Sequence, residues 1–213
     1  MERELPQEFI TAYKEFQTYI KNNSKKIATL QLTAKIENFL RDEFICILSD
    51  HYKDKLVASN FGNKRKYDIC VIDEDKKEIE LLIECKYFTN RCRWWGITDG
   101  TNPQAAKALT KQLDSASEIR FKSESYEVTY SSPKPQNPLG IFFISYVAGK
   151  GFPDLKTKNN TLQKFTNHIK GLIADDNKRE YFFETVDIYQ NPLEITRCNK
   201  KYEVNLVVGL VKC

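Results

Sequence analysis

Apolar residues recur along this chain with two different periods, and the switches between them divide it into elements. Residues Glu8 to Lys21 place Phe9, Tyr13, Phe16 and Ile20 at helical spacing, and Asn22-Asn23-Ser24 closes that helix. A second helix is predicted from Thr33, a suitable N-cap, to Tyr52, with Ile36, Phe39, Leu40, Phe44, Ile47 and Leu48 as its stripe. The period then shortens to two. Lys55 to Ser59 reads as a short strand, followed by the turn Asn60-Phe61-Gly62-Asn63. Lys66 to Asp73 and Ile79 to Tyr87 are aliphatic runs flanking the fully charged turn Glu74-Asp75-Lys76-Lys77-Glu78, the pattern of an antiparallel hairpin.

Beyond a long aromatic and basic stretch, Asn102 as cap and Pro103 as first residue open a helix. Its narrow stripe is Ala105, Ala106, Ala108, Leu109, Leu113, Ala116 and Ile119. Residues 121–139 read as a loop with a short strand near Tyr126 to Tyr130. Gly140 to Val147 is a continuous apolar run, hence a strand covered on both faces. Thr161 to Ala174 is predicted helical on Leu162, Phe165, Ile169 and Leu172, and 181–189 and 204–211 are predicted strands.

Composition narrows the class only modestly. A formal net charge of +4 does not announce a nucleic-acid binder, but it allows a basic face around an acidic site. No apolar run reaches membrane-spanning length, and Met1-Glu2-Arg3-Glu4 does not begin a signal peptide. The cysteines at 46, 70, 85, 92, 198 and 213 show no C-x-x-C spacing, which argues against zinc and for a reduced, cytoplasmic protein.

The chemistry concentrates in the central hairpin. On its second strand Ile79, Leu81, Ile83 and Cys85 fall on one face, and Leu82, Glu84 and Lys86 on the other. A turn of three or five residues would set Asp68 across from Glu84 on that same face, whereas two or four would turn it away. The turn lacks the Gly or Asn that would fix its type. Ionised carboxylates are rarely buried without a partner, and a divalent ion is one such partner. Mg²⁺ takes hard oxygen ligands, is held by one or two carboxylates, polarises phosphoryl oxygens and activates water. A neighbouring lysine can stabilise developing charge or orient the attacking water. The rival reading is a surface hairpin whose charges pair as Lys86–Glu84 or Lys66–Asp68.

Asp68, fifteen intervening residues and then Glu84-Cys85-Lys86 resemble the signature of the PD-(D/E)xK nuclease superfamily, which includes many type II restriction endonucleases. Tyr67 stands where proline is usual. The element order from residue 33 to 147 is also similar to the superfamily core. The resemblance implies an α/β (α+β) restriction-endonuclease-like mixed sheet flanked by helices, core order αβββαβ. Residues 1–32 would be a helical extension and 148–213 an extension of the sheet, all in a single nuclease domain.

It further implies that Asp68, Glu84 and the backbone carbonyl of Cys85 hold Mg²⁺, or Mn²⁺ in its place, while Lys86 assists at the attacking water. Glu37 best matches the glutamate that the superfamily often supplies from the preceding helix, with Glu43 and Asp42 as fallbacks. The implied reaction is in-line hydrolysis of double-stranded DNA at a specific sequence, leaving a 5′-phosphate and a 3′-hydroxyl. A palindromic target would call for a homodimer. Candidate DNA contacts are Lys64, Arg65 and Lys66 before Asp68, Arg91 and Arg93 in the aromatic stretch, and Gln104, Lys111 and Gln112 on the helix that follows. Rival expectations are a structure-specific repair nuclease or junction resolvase, a non-catalytic nucleic-acid-binding module, and a nuclease acting on RNA.

Overall fold

The aromatic spacing near the N-terminus becomes α1 (Gln7–Asn22), which buries Phe9, Ala12, Tyr13, Phe16 and Ile20. The computed structural model describes residues 5–33, 36–61, 66–90, 101–113, 118–122, 127–131, 139–149, 162–174 and 181–212. Asn23 breaks the helix for one residue only, and α2 (Ser24–Thr33) follows where the sequence suggested no element. Thr33 therefore belongs to α2. The next helix, α3 (Glu37–His51), starts four residues later than predicted and buries Leu40, Phe44 and Leu48.

The strands are β1 (Leu56–Phe61), β2 (Tyr67–Asp73) and β3 (Glu78–Thr89). They are followed by α4 (Thr101–Leu113), β4 (Glu118–Lys122), β5 (Glu127–Ser131), β6 (Leu139–Gly149), α5 (Leu162–Ala174), β7 (Phe182–Asp187), β8 (Leu193–Arg197) and β9 (Lys200–Lys212). Ile119, placed on the α4 stripe by the sequence, lies in β4, and Ala116 of that stripe lies outside the described residues. The protein is thus mixed α/β. Among the described residues nine strands form one sheet, with the path β1-β2-β3-β6-β9-β7. β3 and β6 run parallel and the other neighbours on that path antiparallel. β8 lies beside β9, while β4 and β5 form a hairpin touching the start of β3.

Helices cover both faces. On one, Phe9, Phe16 and Ile20 of α1 and Leu40 and Phe44 of α3 join Ile69, Val71, Ile83, Cys85, Ile141, Phe143 and Val208 in one cluster. On the other, Ala106, Leu109 and Leu113 of α4 and Ile169 and Ile173 of α5 pack on Phe88, Phe142, Ile144, Val207 and Val211. Each of these large apolar side chains contributes about 1.5–3 kcal/mol on burial. None of the described helices is long and apolar enough to cross a membrane.

Polar side chains fasten the far ends. Gln31 of α2 is buried, donates to Ser145 Oγ at 2.8 Å and the Asn205 carbonyl at 3.0 Å, and accepts from the Tyr189 hydroxyl at 2.8 Å. Asn90 continues the parallel ladder past β3. Its Nδ2 donates to the Val147 carbonyl at 2.9 Å and its Oδ1 accepts from Val147 N–H at 3.0 Å. Asn102, expected to cap α4, instead exchanges two hydrogen bonds with the Thr89 backbone, at 3.2 and 3.3 Å. It ties the start of the helix to the end of β3.

Candidate active site

The turn between β2 and β3 has four residues, Glu74 to Lys77, with Lys77 in the left-handed region at φ 55°. Asp73 pairs with Glu78 and Ile72 with Ile79. Continued unchanged, that register would carry Asp68 to the wrong face. A β-bulge intervenes: Val71 pairs with Leu81, so Glu80 is an extra residue on β3. From there Cys70 opposes Leu82 and Ile69 opposes Ile83. One step on, Asp68 and Glu84 face each other. The bulge also moves Ile79 off the face of Leu81 and Ile83, where its alternation had placed it. Ile79 packs instead with Cys70, Ile72 and Leu82. Glu80, turned aside by the bulge, forms an ion pair with Lys55.

On this face of β3, Leu82 belongs to one apolar cluster and Phe88 to another, with Glu84 and Lys86 between them. Here β2 begins, at Tyr67, so β3 runs on past it beside β6. The Cys85 N–H donates to Asp68 Oδ2 at 2.8 Å, so the acid's side chain serves a backbone donor. Lys86 Nζ donates to Glu84 Oε1 and, at 3.0 Å, to the Cys85 carbonyl, and stands 3.8 Å from Asp68 Oδ2. Three oxygens thus converge on one cation.

Glu84 is only 5% exposed, while the side chains of Asp68 and Lys86 keep 15% and 17% of their surface. The cluster therefore opens to solvent on one side. Burial pushes the Glu84 carboxyl up to about 7 against the pull of Lys86, with Asp68 adding to the rise. Burial draws the Lys86 ammonium down, but Glu84, Asp68 and Glu37 more than offset it, and it lies above the usual lysine value.

Helix α3 approaches from the opposite layer. Glu37, in its first turn, has Oε2 shielded from solvent, and its charge is felt at Lys86 and at Cys85. One turn on, Arg41 donates to Asp68 Oδ1 at 3.4 Å from Nη1, and to Asp42 Oδ1 at 3.1 and 3.0 Å from Nε and Nη2. Sequence spacing by itself makes Arg41 an i,i+4 neighbour of Glu37 and nothing more. Its reach to Asp68 depends on how α3 packs, which no local pattern encodes.

The expected DNA contacts fare unevenly. Lys66 is exposed immediately before β2, and Gln104 and Lys111 are exposed on α4. Lys64, Arg65, Arg91 and Arg93 lie outside the described residues, as does the Gln112 side chain. Helix α4 runs along the β3 segment that carries the cluster. Asn102 is tied to Thr89 at one end, and Leu109 and Leu113 close over Gly140, the β6 neighbour of Glu84, at the other.

A small hard cation takes one or two carboxylates, carbonyl oxygens and waters. Asp68, Glu84 and the Cys85 carbonyl are such a donor set, and the Lys86 ammonium already occupies the point they share. Among the described residues no group of three or more His, Cys, Asp and Glu side chains is gathered for a metal. The fit therefore rests on two carboxylates and a carbonyl, with Glu37 behind them. No family model, curated protein or solved structure matches this chain, so the chemistry of the cluster stands on its own geometry.

Proposed function

We propose that the protein is a Mg²⁺-dependent endodeoxyribonuclease with a restriction-endonuclease-like fold, cleaving double-stranded DNA at defined sequences. The observation that carries this reading is the convergence of Asp68, Glu84 and Lys86 on one solvent-reachable point where β2 begins. The element order supports it too: α3 precedes the three strands β1 to β3, and α4 lies between the parallel strands β3 and β6. Residues Asp68 and Glu84 would hold the metal with the Cys85 carbonyl, and Mn²⁺ would serve in place of Mg²⁺. Bound there, the ion supplies Lewis-acid polarisation of a phosphoryl oxygen and a more acidic water.

The chain's own groups do the rest. Asp68 is held in place by the Cys85 N–H, which fixes the carboxylate before any ligand arrives. Lys86, released from Glu84 and the Cys85 carbonyl, can turn its ammonium toward the attacking water or the phosphate, where it offsets developing negative charge. Against the lowering effect of burial, Glu84 first, then Asp68, and least of all Glu37 behind them, raise the proton affinity of the lysine. Two-fold symmetric targets would be met by a homodimer, each copy bringing one cluster to one strand.

The test is digestion of a mixed-sequence linear duplex with Mg²⁺, followed by sequencing of the fragment ends. Wild type should give discrete fragments that EDTA suppresses. Lys86→Ala should lower the cleavage rate by about 10²–10³-fold, the loss typical of removing one transition-state donor. Asp68→Ala should abolish cleavage, and both variants should still bind DNA. Undiminished cleavage in either variant, or in EDTA, removes the assignment. Cleavage confined to branched DNA would move it to a junction nuclease, and binding without cleavage to a non-catalytic module.

A further inference from the structure

The two oxygens of Asp68 serve different partners. Oδ2 accepts from the Cys85 N–H and faces Lys86, while Oδ1 meets the Arg41 guanidinium. We propose that Arg41 is a displaceable counter-ion of the cluster, neutralising Asp68 when no divalent cation is bound and yielding Oδ1 to one that enters. This inference rests on the metal site proposed above: Lys86 fills the point shared by Asp68 Oδ2, Glu84 and the Cys85 carbonyl, and Arg41 covers the remaining oxygen, Oδ1, in the ion-free state. A desolvated carboxylate without a partner is costly, so a protein that binds a metal reversibly needs a charge to put in its place.

The Arg41 contacts suit exchange at Oδ1. Charge-assisted N–H···O bonds usually measure about 2.7–2.9 Å, and the Arg41–Asp68 contact, at 3.4 Å, is loose by that standard. The same guanidinium holds Asp42 Oδ1 more closely, at 3.0 and 3.1 Å. Asp42 is 63% exposed, whereas Asp68 is 15% exposed, so the fork spans from solvent into the cluster. When Nη1 lets go of Asp68, Nε and Nη2 remain anchored on the outer side, and the guanidinium keeps a partner. Lys86 also leaves Glu84 and the Cys85 carbonyl when an ion enters, but it has no second carboxylate outside the cluster among these contacts, whereas Arg41 has Asp42. A dication entering beside Asp68 would be repelled by Arg41 until the guanidinium swings outward, so Arg41 lowers metal affinity while it stabilises the metal-free fold.

The experiment is calorimetric titration of Mn²⁺ into the full chain without DNA, alongside thermal melting of the metal-free protein. R41Q should bind Mn²⁺ about tenfold more tightly than wild type, the scale of one nearby like charge in a partly solvated site, and should melt at a lower temperature without metal. D42N, which takes the charge from the outer anchor, should bind Mn²⁺ more weakly than wild type, and the same change made in R41Q should have a smaller effect, because Arg41 carries part of it. Equal affinity in R41Q and wild type, or tighter binding in D42N, overturns the counter-ion role and leaves the metal site standing. Failure of both wild type and R41Q to bind Mn²⁺ removes the metal site itself, and the counter-ion with it. Should R41Q not fold, D42N carries the test, its expected change having the opposite sign.

Discussion

Two buried cysteines flank the acids and report on their environment. Cys70 lies on the cluster's face of β2, and burial pushes its thiol up to about 12, with Asp68 and Glu84 adding to the rise. Cys85, between Glu84 and Lys86 but on the opposite face, is pushed well above the usual thiol value for the same reasons. At pH 8 the thiolate fraction of Cys70 is then about 10⁻⁴, and burial shuts out the reagent as well. Cys46 and Cys198 are exposed. Iodoacetamide at pH 8 followed by peptide mapping should therefore modify Cys46 and Cys198 in the native protein. Cys70 and Cys85 should react only in denaturant, and their modification without denaturant would mean that the cluster's floor is open to water. At this scale the sequence was informative for a plain reason. Asp68, Glu84 and Lys86 interrupt apolar runs, so their chemical type alone marks them. Arg41 carries no such mark: it sits on a helix rich in charges, and only tertiary packing turns it toward Asp68.

Between elements, the bulge at Glu80 decides whether there is a site at all. The four-residue turn alone would slip the strands by one, and the extra residue restores the pairing of Asp68 with Glu84. Deleting Glu80 should therefore remove the bulge and leave every other pair intact, with Ile79 and Leu81 still on their separate faces. Its main loss is the Lys55–Glu80 ion pair, about 1 kcal/mol or less. Deleting Leu82, a change of the same length, should move Ile83 and Glu84 onto each other's faces and abolish cooperative melting. Thermal denaturation of the two deletions side by side checks this, and equal melting would mean that the bulge does not set the register. Periodicity made α1, α3, α5, β3 and β6 legible, because each presents a stripe or run long enough to declare its period. It missed α2, only ten residues long and polar at most positions, whose place is fixed by Gln31 reaching Ser145 and Asn205. It also missed β8, whose alternation of Leu193 and Ile195 with exposed Glu194 and Thr196 is too short to declare a period.

Across the whole molecule, the strands that carry the site depend on segments distant in sequence. β6 is buried at every position from Leu139 to Val147 and is flanked by β3 on one side and β9 on the other. β9 in turn pairs with β7 and β8 along its other edge. The ring of Phe142 lies over Gly209, where any Cβ would overlap it, so the two strands are fitted to each other and not merely adjacent. At the other end of the chain, Phe9, Tyr13 and Phe16 of α1 share one cluster with Ile83 and Cys85 beside the acids. Sequence order could suggest a core from 33 to 147 with extensions on either side, because pairing partners far apart in the chain leave no local trace. A chain ending at Gly149 would keep Asp68, Glu84, Lys86, Glu37 and Arg41. It would nonetheless bare one whole edge of β6 and strip Phe142 and Ile144 of Val207, Val211, Ile169 and Ile173. Such an edge, long and apolar, is a template for aggregation. The truncated chain should be insoluble or melt without a cooperative transition, whereas the full chain should melt in one. A soluble, cooperatively folded 1–149 that still cleaves DNA would show that β7 to β9 are an addition to the fold, and that the site needs only the strands bearing it.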